Sequence, residues 1–189
     1  MDADTLLHRY LKESVRFKTR LGLTLPKGFS YLGGEDYVLD RGSRFRSEAF
    51  SNEEKTFLLN VLRHCPLKRF PLGHCFHNAQ IVVASDKSNT LQYCEGWAMG
   101  LTGLPTLHGW VLLEGKVLDL TWRVAQRARG FLGDRVWGVI PVGWAYYGTT
   151  FSTSSVLTRV ALLGAANSFL DDVAHGFPLF QEPRLCPSR

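Results

Sequence analysis

The sequence predicts an α+β fold in which a helix packs against a small antiparallel sheet of four or five strands. Helical patterns occupy the first and last parts of the chain, and strand-like runs occupy its middle. The two kinds of segment do not alternate regularly, as they would in a doubly wound α/β protein. A length of 189 residues with 45% hydrophobic and 21% charged side chains suits one globular domain. We therefore expect a single domain over residues 1–189.

Residues 1–50 are predicted to form an N-terminal helix followed by a loop or lid. Within residues 4–20, apolar side chains recur at helical spacing with charged residues on the other side. Gly22 marks the end of this helix. Residues 23–50 contain four glycines and a proline and show no sustained period. We expect a long ordered loop there, with one short strand around residues 37–39.

Two further helices are predicted in the next part of the chain. Ser51 and Glu54 have the spacing of a capping box, in which the two side chains satisfy free amides at a helix start. An apolar face follows, and Pro66 ends this helix. After a loop with proline and glycine, residues 75–84 have helical character. This places Cys75 at the junction between a loop and a helix.

The middle and the end of the chain are predicted to supply the sheet and the closing helices. Residues 91–99 form one strand-like run, and residues 108–122 form two more, separated by Glu114 and Gly115 as in a β-hairpin. The elements predicted after the hairpin are a short helix at 122–128, a strand at 136–142, and one or two helices at 152–173 with a break at Gly164.

The hairpin register brings a histidine and an aspartate together. If residues 114–115 form a two-residue turn, Leu113 pairs with Lys116, and counting outward puts His108 and Asp119 on the same face of the hairpin. They are then diagonal neighbours, roughly 7 Å apart at the backbone, which their side chains can close to a hydrogen bond. A carboxylate in that position fixes the tautomer of an imidazole and stabilises its protonated form.

Cys75 is the candidate nucleophile. At the first turn of a helix, the unpaired amides and the positive end of the dipole favour the thiolate, which is the attacking form of cysteine. The same amides point to where an oxyanion forms when sulfur attacks an acyl carbon, and residues 73–79 fit this placement. Cysteine is also a common small core residue, and Cys65, Cys94 and Cys186 have no comparable context.

A metal site is the other chemistry that this region could offer. Two cysteines and three histidines lie within fourteen positions, namely His64, Cys65, His74, Cys75 and His77. Structural zinc usually takes paired ligands such as Cys-x-x-Cys, and this run has no such pair. Positions 75 and 77 also point to different faces of a helix. We therefore expect no metal.

Together these residues resemble the transglutaminase-like branch of the papain-like cysteine enzymes. The order is Cys75 at a helix start, then His108-Gly109-Trp110 on one strand, then Asp119-Leu120-Thr121-Trp122 on the next. The resemblance covers residues 73–122, and Tyr93-Cys94-Glu95-Gly96 is similar to a segment of small uncharacterised members. The family includes peptidases, amidases and acyltransferases. Its fold, a nucleophile helix packed on a small antiparallel sheet, is the one we expect here.

The resemblance implies a role for each of these residues. Cys75 would be the nucleophile, His108 the general base and then acid, and Asp119 the residue that orients the imidazole. Asn78, which shares a helix face with Cys75, and Trp110 are secondary candidates for substrate binding or the oxyanion site. Each also has a structural explanation, Asn78 as a hydrogen-bond partner between helices and Trp110 as core or pocket wall.

The expected activity is that of a cysteine hydrolase or acyltransferase. It would act on an amide, isopeptide or thioester bond through a thioacyl intermediate, with no cofactor. A protein or peptide is the expected substrate, and a small amide or thioester is the alternative. A non-catalytic protein-binding module, or an effector or inhibitor on the same fold, stays open as the alternative to an enzyme. Such a module need not keep all three residues of the triad.

Composition argues against several other classes of protein. The 22 Lys and Arg residues against 17 Asp and Glu give a net charge of +5, but these charges are dispersed, so nucleic-acid binding is not expected. The chain opens without a signal-peptide pattern, and its most apolar late stretch, residues 156–170, is interrupted by polar side chains. We expect a cytoplasmic protein with no membrane segment and with free thiols. The sequence does not predict the oligomeric state.

Overall fold

The computed structural model describes residues 2–124, 135–164 and 167–181, which form a mixed α+β structure. The helices are α1 (Ala3–Arg20), α2 (Gly34–Arg41), α3 (Asn52–His64), α4 (Cys75–Ala84) and α5 (Thr153–Leu163). The strands are β1 (Ser43–Arg44), β2 (Gln92–Met99), β3 (Pro105–Leu113), β4 (Lys116–Arg123), β5 (Arg135–Gly138) and β6 (Ala145–Phe151). Two short 3-10 helices, Val173–His175 and Pro178–Gln181, follow α5.

The strands form one open antiparallel sheet in the order β1-β6-β2-β3-β4-β5. The six strands exceed the four or five that the sequence predicts, because β1 and β6 were not expected. Strand β6 comes last in the chain but lies inside the sheet, between β1 and β2. It pairs with β2 from Tyr93↔Phe151 to Met99↔Ala145. The final strand therefore completes the hydrogen bonding of β2.

The helices cover one face of this sheet. Tyr93 and Val111 point to that face and pack with apolar residues of α3, α4 and α5 in the largest core cluster. Farther along the same face, Trp97 and Tyr147 pack with α1, with α2 and with Leu170 of the C-terminal segment. The helix that begins with Cys75 thus lies among the other helices, on the side of the sheet that α1 and α2 also cover.

The opposite face of the sheet carries another core cluster, which none of the described helices covers. Trp110 and Tyr146 point to this face, where Phe45 and Trp144 from neighbouring loops pack against them. The side chain of His108 points the same way, because it lies two residues before Trp110 in β3. The histidine of the predicted triad is therefore enclosed by aromatic residues of the sheet and its loops.

The predicted hairpin between β3 and β4 is confirmed. Leu113 pairs with Lys116, and Val111 with Leu118, as counted from the sequence. The two turn residues, at positions 114 and 115, both have positive φ angles of 51° and 78°. Positive φ at both central positions is the requirement of a type I′ turn, the tight connection that suits the twist of two strands.

The region predicted as a loop or lid contains more structure than expected. Helix α2 occupies residues where a short strand was predicted at 37–39, and that strand prediction is wrong. The first turn of α2 carries two acidic residues and its last turn a basic one, which complements the helix dipole. Tyr37 and Val38 are both buried. Consecutive buried side chains suit the edge of a helix face, whereas a strand would point them to opposite sides.

Two predictions near β4 and β5 need correction. The helix predicted at 122–128 begins inside β4, which continues to Arg123, and residues 125–128 lie outside the described residues. The strand predicted at 136–142 ends at Gly138. Gly138 has a φ of 79°, and a Cβ atom there would lie 2.4 Å from the carbonyl oxygen of Glu48. The chain therefore turns at this glycine and leaves the sheet.

The helix prediction at 152–173 is correct for its first half. Helix α5 has Ser152 as its N-cap and ends at Gly164, where a break was predicted. Residues 167–172 are not helical. Their backbone amides instead contribute hydrogen bonds to a buried side chain of the sheet, described below.

The helices with the strongest sequence signals are confirmed. Both hydrogen bonds of the capping box between Ser51 and Glu54 are present at the start of α3. Helix α4 has the predicted bounds, with Cys75 as its first residue. Across the described ranges 2–124, 135–164 and 167–181, no helix is both long and apolar enough to cross a membrane.

Candidate active site

Cys75 begins helix α4 and reaches the protein surface. The N-cap residue, His74, makes no side-chain hydrogen bond to the helix, so the first-turn amides receive no cap from it. The side chain of Cys75 is half-buried, whereas Cys65 and Cys94 are buried. Of the cysteines that the structure describes, Cys75 is therefore the one that can meet a reagent or a substrate from solvent.

His108 and Asp119 form a buried pair between β3 and β4. The His108 Nε2 and Asp119 Oδ2 atoms are 2.8 Å apart, and each side chain is only 1% exposed. The same-face arrangement counted from the hairpin register is thus close enough for a direct hydrogen bond. Because Nε2 is engaged with the carboxylate, Nδ1 is the ring nitrogen left to face Cys75.

Cys75 lies near enough to His108 to raise the pKa of the imidazole. Burial lowers the pKa of His108, but Asp119 and Cys75 together raise it more, from 6.5 to about 9. Burial raises the pKa of Asp119, and the charge and hydrogen bond of His108 outweigh that effect and lower it. At neutral pH the pair is therefore an imidazolium and a carboxylate.

Asp119 accepts three further hydrogen bonds. The Tyr146 hydroxyl donates to Oδ2 at 2.9 Å, and the backbone amides of Thr121 and Trp122 donate to Oδ1 at 2.8 and 3.2 Å. The register of β4 against β5 shifts between Asp119 and Arg123, and this irregularity frees the two amides from regular pairing. The four donors, including His108, satisfy a carboxylate whose burial would otherwise be costly.

Two tryptophans hold the imidazole in place. The Trp122 ring stacks on His108 with 4.1 Å between ring centroids and an angle of 23° between the ring planes. The Trp110 ring lies 6.1 Å from His108 at 22°. Aromatic packing of this kind fixes the orientation of the imidazole and limits its contact with water.

Gly109 allows helix α4 to approach β3 next to His108. A Cβ atom at this position would lie 3.0 Å from Cδ1 of Phe76, 3.3 Å from its Cα, and 3.1 Å from the Tyr93 hydroxyl oxygen. These separations are shorter than ordinary contacts, so a larger residue would push the first turn of α4 away. The glycine therefore brings Cys75, on the helix-covered face, within reach of a histidine whose side chain points to the other face.

Asn78 lies beneath the surface and holds the nucleophile helix to its surroundings. Its Nδ2 atom donates hydrogen bonds to the Pro71 carbonyl at 3.0 Å and to the Thr121 hydroxyl at 2.9 Å. The residue is 1% exposed. These bonds join the loop before Cys75 and strand β4 to helix α4. These bonds give Asn78 a structural role in holding helix α4, and its contact with substrate stays a prediction.

Trp110, the other secondary candidate, is also a packing residue. Its ring meets Phe45 and Tyr146 edge to face, at centroid distances of 5.6 and 5.2 Å. A Cβ atom at Gly148 would lie 2.6 Å from the Trp110 ring, so the glycine in β6 makes room for it. Like Asn78, Trp110 is 1% exposed. It supports the imidazole from within the core.

Tyr146, which donates a hydrogen bond to the Asp119 carboxylate, was not predicted from the sequence. The segment Ala145–Phe151 is rich in aromatic and β-branched residues, which is a strand signal. Nothing in the local sequence distinguishes Tyr146 from Tyr147, whose ring packs on the opposite face in another cluster. Only the pairing of β6 with β2 determines which of the two tyrosines faces Asp119.

A second buried carboxylate lies on the helix-covered face of the sheet. Glu95 in β2 accepts hydrogen bonds from the Ser168 hydroxyl, from the Phe169 and Leu170 amides at 2.8 and 3.0 Å, and from the Tyr93 hydroxyl at 2.8 Å. Burial raises the pKa of Glu95 against the lowering effect of these donors. The carboxylate thereby ties the C-terminal segment to the middle of the sheet.

Gln80 connects this network to the helix that carries Cys75. Its Nε2 atom donates to the Tyr93 hydroxyl at 3.3 Å and to the Asn167 carbonyl at 2.8 Å. The same tyrosine hydroxyl lies beside Gly109. The network therefore supports the contact between α4 and β3 on which the position of Cys75 depends.

The raised pKa of His108 predicts how folding depends on pH. A histidine whose pKa rises from 6.5 to about 9 on folding contributes its full stabilisation below pH 6.5 and loses it as the pH rises through 9. The shift corresponds to roughly 3 kcal/mol of unfolding free energy. We expect urea unfolding to show this loss between pH 6.5 and 10 in the wild type, relative to a His108→Gln/Asp119→Asn double variant.

The double variant is the control because it replaces the charged pair by two neutral amides of similar size. Asp119 does not affect this window, since its lowered pKa means that its contribution is lost only in acid, below 3.8. Equal changes in unfolding free energy for the two proteins between pH 6.5 and 10 would show that His108 is not held as a cation in the folded state.

The cysteines and histidines at 64–77 do not form a metal site among the described residues. No described group of three or more His, Cys, Asp or Glu side chains is arranged to hold a metal ion.

Comparison of the chain with family models, with curated proteins and with solved structures found no match. The function must therefore be argued from the geometry of Cys75, His108 and Asp119.

Proposed function

We propose that this protein is a cysteine hydrolase or acyltransferase of the papain-like and transglutaminase-like type, with Cys75 as nucleophile. The arrangement that supports the proposal is a buried imidazole hydrogen-bonded to a carboxylate, near a half-buried cysteine at a helix start that raises the pKa of that imidazole. A nucleophile, a base and a group that orients the base are the parts required for covalent acyl transfer.

In the proposed reaction, the Cys75 thiolate attacks the carbonyl carbon of an amide, isopeptide or thioester. The carbonyl oxygen becomes an oxyanion that the uncapped amides at the start of α4 can stabilise. His108, as imidazolium, donates its proton to the leaving nitrogen or sulfur as the carbon–heteroatom bond breaks. Neutral His108 then takes a proton from water or an amine, which attacks the thioacyl carbon and releases Cys75. Asp119 keeps the imidazole in the required tautomer throughout.

The alternative is a non-catalytic protein-binding module on the same fold. Such a module needs the core but has no use for a buried ion pair beside an accessible thiol. Replacing a buried ion pair by apolar residues is often neutral or stabilising, so stability alone gives little reason to retain one. The His108–Asp119 pair, with four donors on the carboxylate and an aromatic enclosure, therefore favours the enzyme.

The test is the rate at which iodoacetamide alkylates Cys75, measured by peptide mass spectrometry. At pH 6.5 we expect the wild-type residue to react at least tenfold faster than glutathione, because an ordinary thiol is mostly protonated there, whereas the imidazolium of His108 stabilises the thiolate. The buried Cys65 and Cys94 are poor references, since burial alone slows them. The His108→Gln variant should lose this advantage.

The matched control is His64→Gln. His64 is an exposed histidine near the end of α3, and its ring bonds only to the Asn60 carbonyl of its own helix. This variant should label at the wild-type rate. If Cys75 reacts no faster than glutathione, or equally fast without His108, the proposed pair is absent and the binding-module alternative is favoured. A mass increase of one acyl group on Cys75 after incubation with a thioester would identify the intermediate.

A further inference from the structure

A cavity of about 530 Å³ opens at the surface beside the candidate triad. Its lining combines four aliphatic or aromatic side chains with a few polar groups, and consists of Leu72, Gly100, Leu101, Thr102, Thr106, Trp122, Arg123 and Trp144. Its volume is within the range of roughly 300–1,000 Å³ for ligand pockets, and mostly apolar walls with a few polar groups are typical of them.

The cavity shares a wall with the site proposed to perform the chemistry. Trp122 lines the cavity and also stacks on His108 at 4.1 Å. Leu72 lines it from the loop that leads into helix α4, three residues before Cys75. The opening is therefore bounded on one side by the ring that covers the base and on another by the chain that leads to the nucleophile.

Two packed aromatic rings form part of the cavity wall. Trp122 and Trp144 meet nearly perpendicularly, at 80° and 5.7 Å between centroids. Gly100 lies against them, since a Cβ atom there would be 3.0 Å from the Trp122 ring and 3.5 Å from the Trp144 ring. At the rim, Leu101 is 66% exposed. An apolar group that enters this space would cover aromatic surface and an exposed leucine, which is favourable in water.

A second cavity, of about 390 Å³, is less suited to the reaction. It lies between α1, α2 and the C-terminal segment, and its lining includes Trp97 and Leu107. Leu107 precedes His108 in β3, so its side chain points to the opposite face of the sheet. Neither Trp122 nor any member of the triad lines this second cavity.

We propose that the cavity beside Trp122 binds an aromatic or aliphatic group that flanks the reacting carbonyl of the substrate. The inference rests on the proposed function and names a substrate class for the same site, namely acyl compounds with a bulky apolar substituent next to the carbon that Cys75 attacks. Trp122 forms a wall of the cavity and also covers the His108 imidazole. A group in the cavity would therefore lie beside the reacting atoms, which favours the substrate as its occupant.

The test compares iodoacetamide with its N-benzyl derivative, which carries the same reactive carbon and an added aromatic ring. We expect the ratio of Cys75 alkylation rates, benzyl over parent, to exceed the ratio for glutathione by about tenfold, in line with the 10- to 200-fold value of an apolar group in a matching pocket. In Leu101→Asp the ratio should fall to that of glutathione, because a carboxylate at the rim is poorly compatible with an apolar ligand.

Leu104→Asp is the matched control. Leu104 belongs to the same β2–β3 connection and is 67% exposed, but it does not line the cavity. It should keep the wild-type ratio. If Cys75 is activated towards iodoacetamide but shows the same ratio as glutathione, the cavity does not select apolar groups and only this inference fails. If the parent reagent shows no acceleration, the proposed function itself fails.

Discussion

Replacing Asp119 by asparagine is expected to reduce the alkylation rate of Cys75 at pH 6 by on the order of 100-fold. Without the carboxylate, burial lowers the pKa of His108, and a neutral imidazole cannot supply the positive charge that the proposed mechanism requires. A thiol with an ordinary pKa near 8.5 is ionised to well under 1% at that pH, which sets the size of the effect. The unfolding free energy should also fall by about 3 kcal/mol at pH 7, since half of a buried ion pair is removed.

Asp86→Asn is the control that separates the loss of Cys75 reactivity from the loss of stability. Asp86 is another buried carboxylate, and it accepts hydrogen bonds from the Ser88, Thr90 and Leu91 amides in the turn after α4, at the end opposite Cys75. We expect this variant to be destabilised in urea but to keep the reactivity of Cys75. Equal reactivity of wild type and Asp119→Asn at pH 6 would mean that the carboxylate has no part in activating the thiol.

Gly109→Ala is expected to separate the nucleophile from the base. The new methyl group would lie 3.0 Å from Cδ1 of Phe76, 3.1 Å from the Tyr93 hydroxyl and 3.3 Å from Cα of Phe76, so these neighbours must shift by a few tenths of an ångström. Overpacking of this kind costs about 1–3 kcal/mol. A displacement near 1 Å in a catalytic arrangement can cost about 100-fold in rate. We expect a tenfold or larger loss of Cys75 alkylation at pH 6.5, with the protein still folded by circular dichroism.

The control for this variant is Leu112→Val, on the same strand. Leu112 is buried on the face that helix α4 does not touch, and the change should cost about 1 kcal/mol. Its alkylation rate should match the wild type. A Gly109→Ala protein that labels as fast as Leu112→Val would show that close approach of the helix is not what activates Cys75.

The parts of the fold that the sequence predicts well are those with local chemical signals. The capping box of Ser51 and Glu54 identifies the start of α3, and the two-residue turn at 114–115 sets the register of the hairpin. Strand β6 is also rich in strand-forming residues. Its partner β2, however, lies some fifty residues earlier in the chain. Its place in the sheet depends on distant contacts that local patterns do not encode.

In the candidate site, too, local rules predict some residues and distant contacts determine the others. The proximity of His108 and Asp119 follows from counting residues across one turn, so a local rule is sufficient to predict it. The contribution of Tyr146 depends on which face of an unpredicted strand it occupies. The role of Gly109 could not be predicted from the sequence either, because it depends on how closely helix α4 packs against β3. The roles of Cys75, His108 and Asp119 in catalysis stay predictions until the alkylation experiments are made.

Three of the donors to Glu95 lie near the end of the chain, so the Glu95 network forms late in synthesis. All three members of the proposed triad leave the ribosome before Tyr146, and before the 168–170 segment that Glu95 binds. While β6 is unmade, β2 has an open edge and Glu95 lacks three of its four donors. The sheet edge beside β2 is filled, and Asp119 receives the Tyr146 hydroxyl, only after residues 145–151 are made, so the environment of His108 and Asp119 is completed late in synthesis.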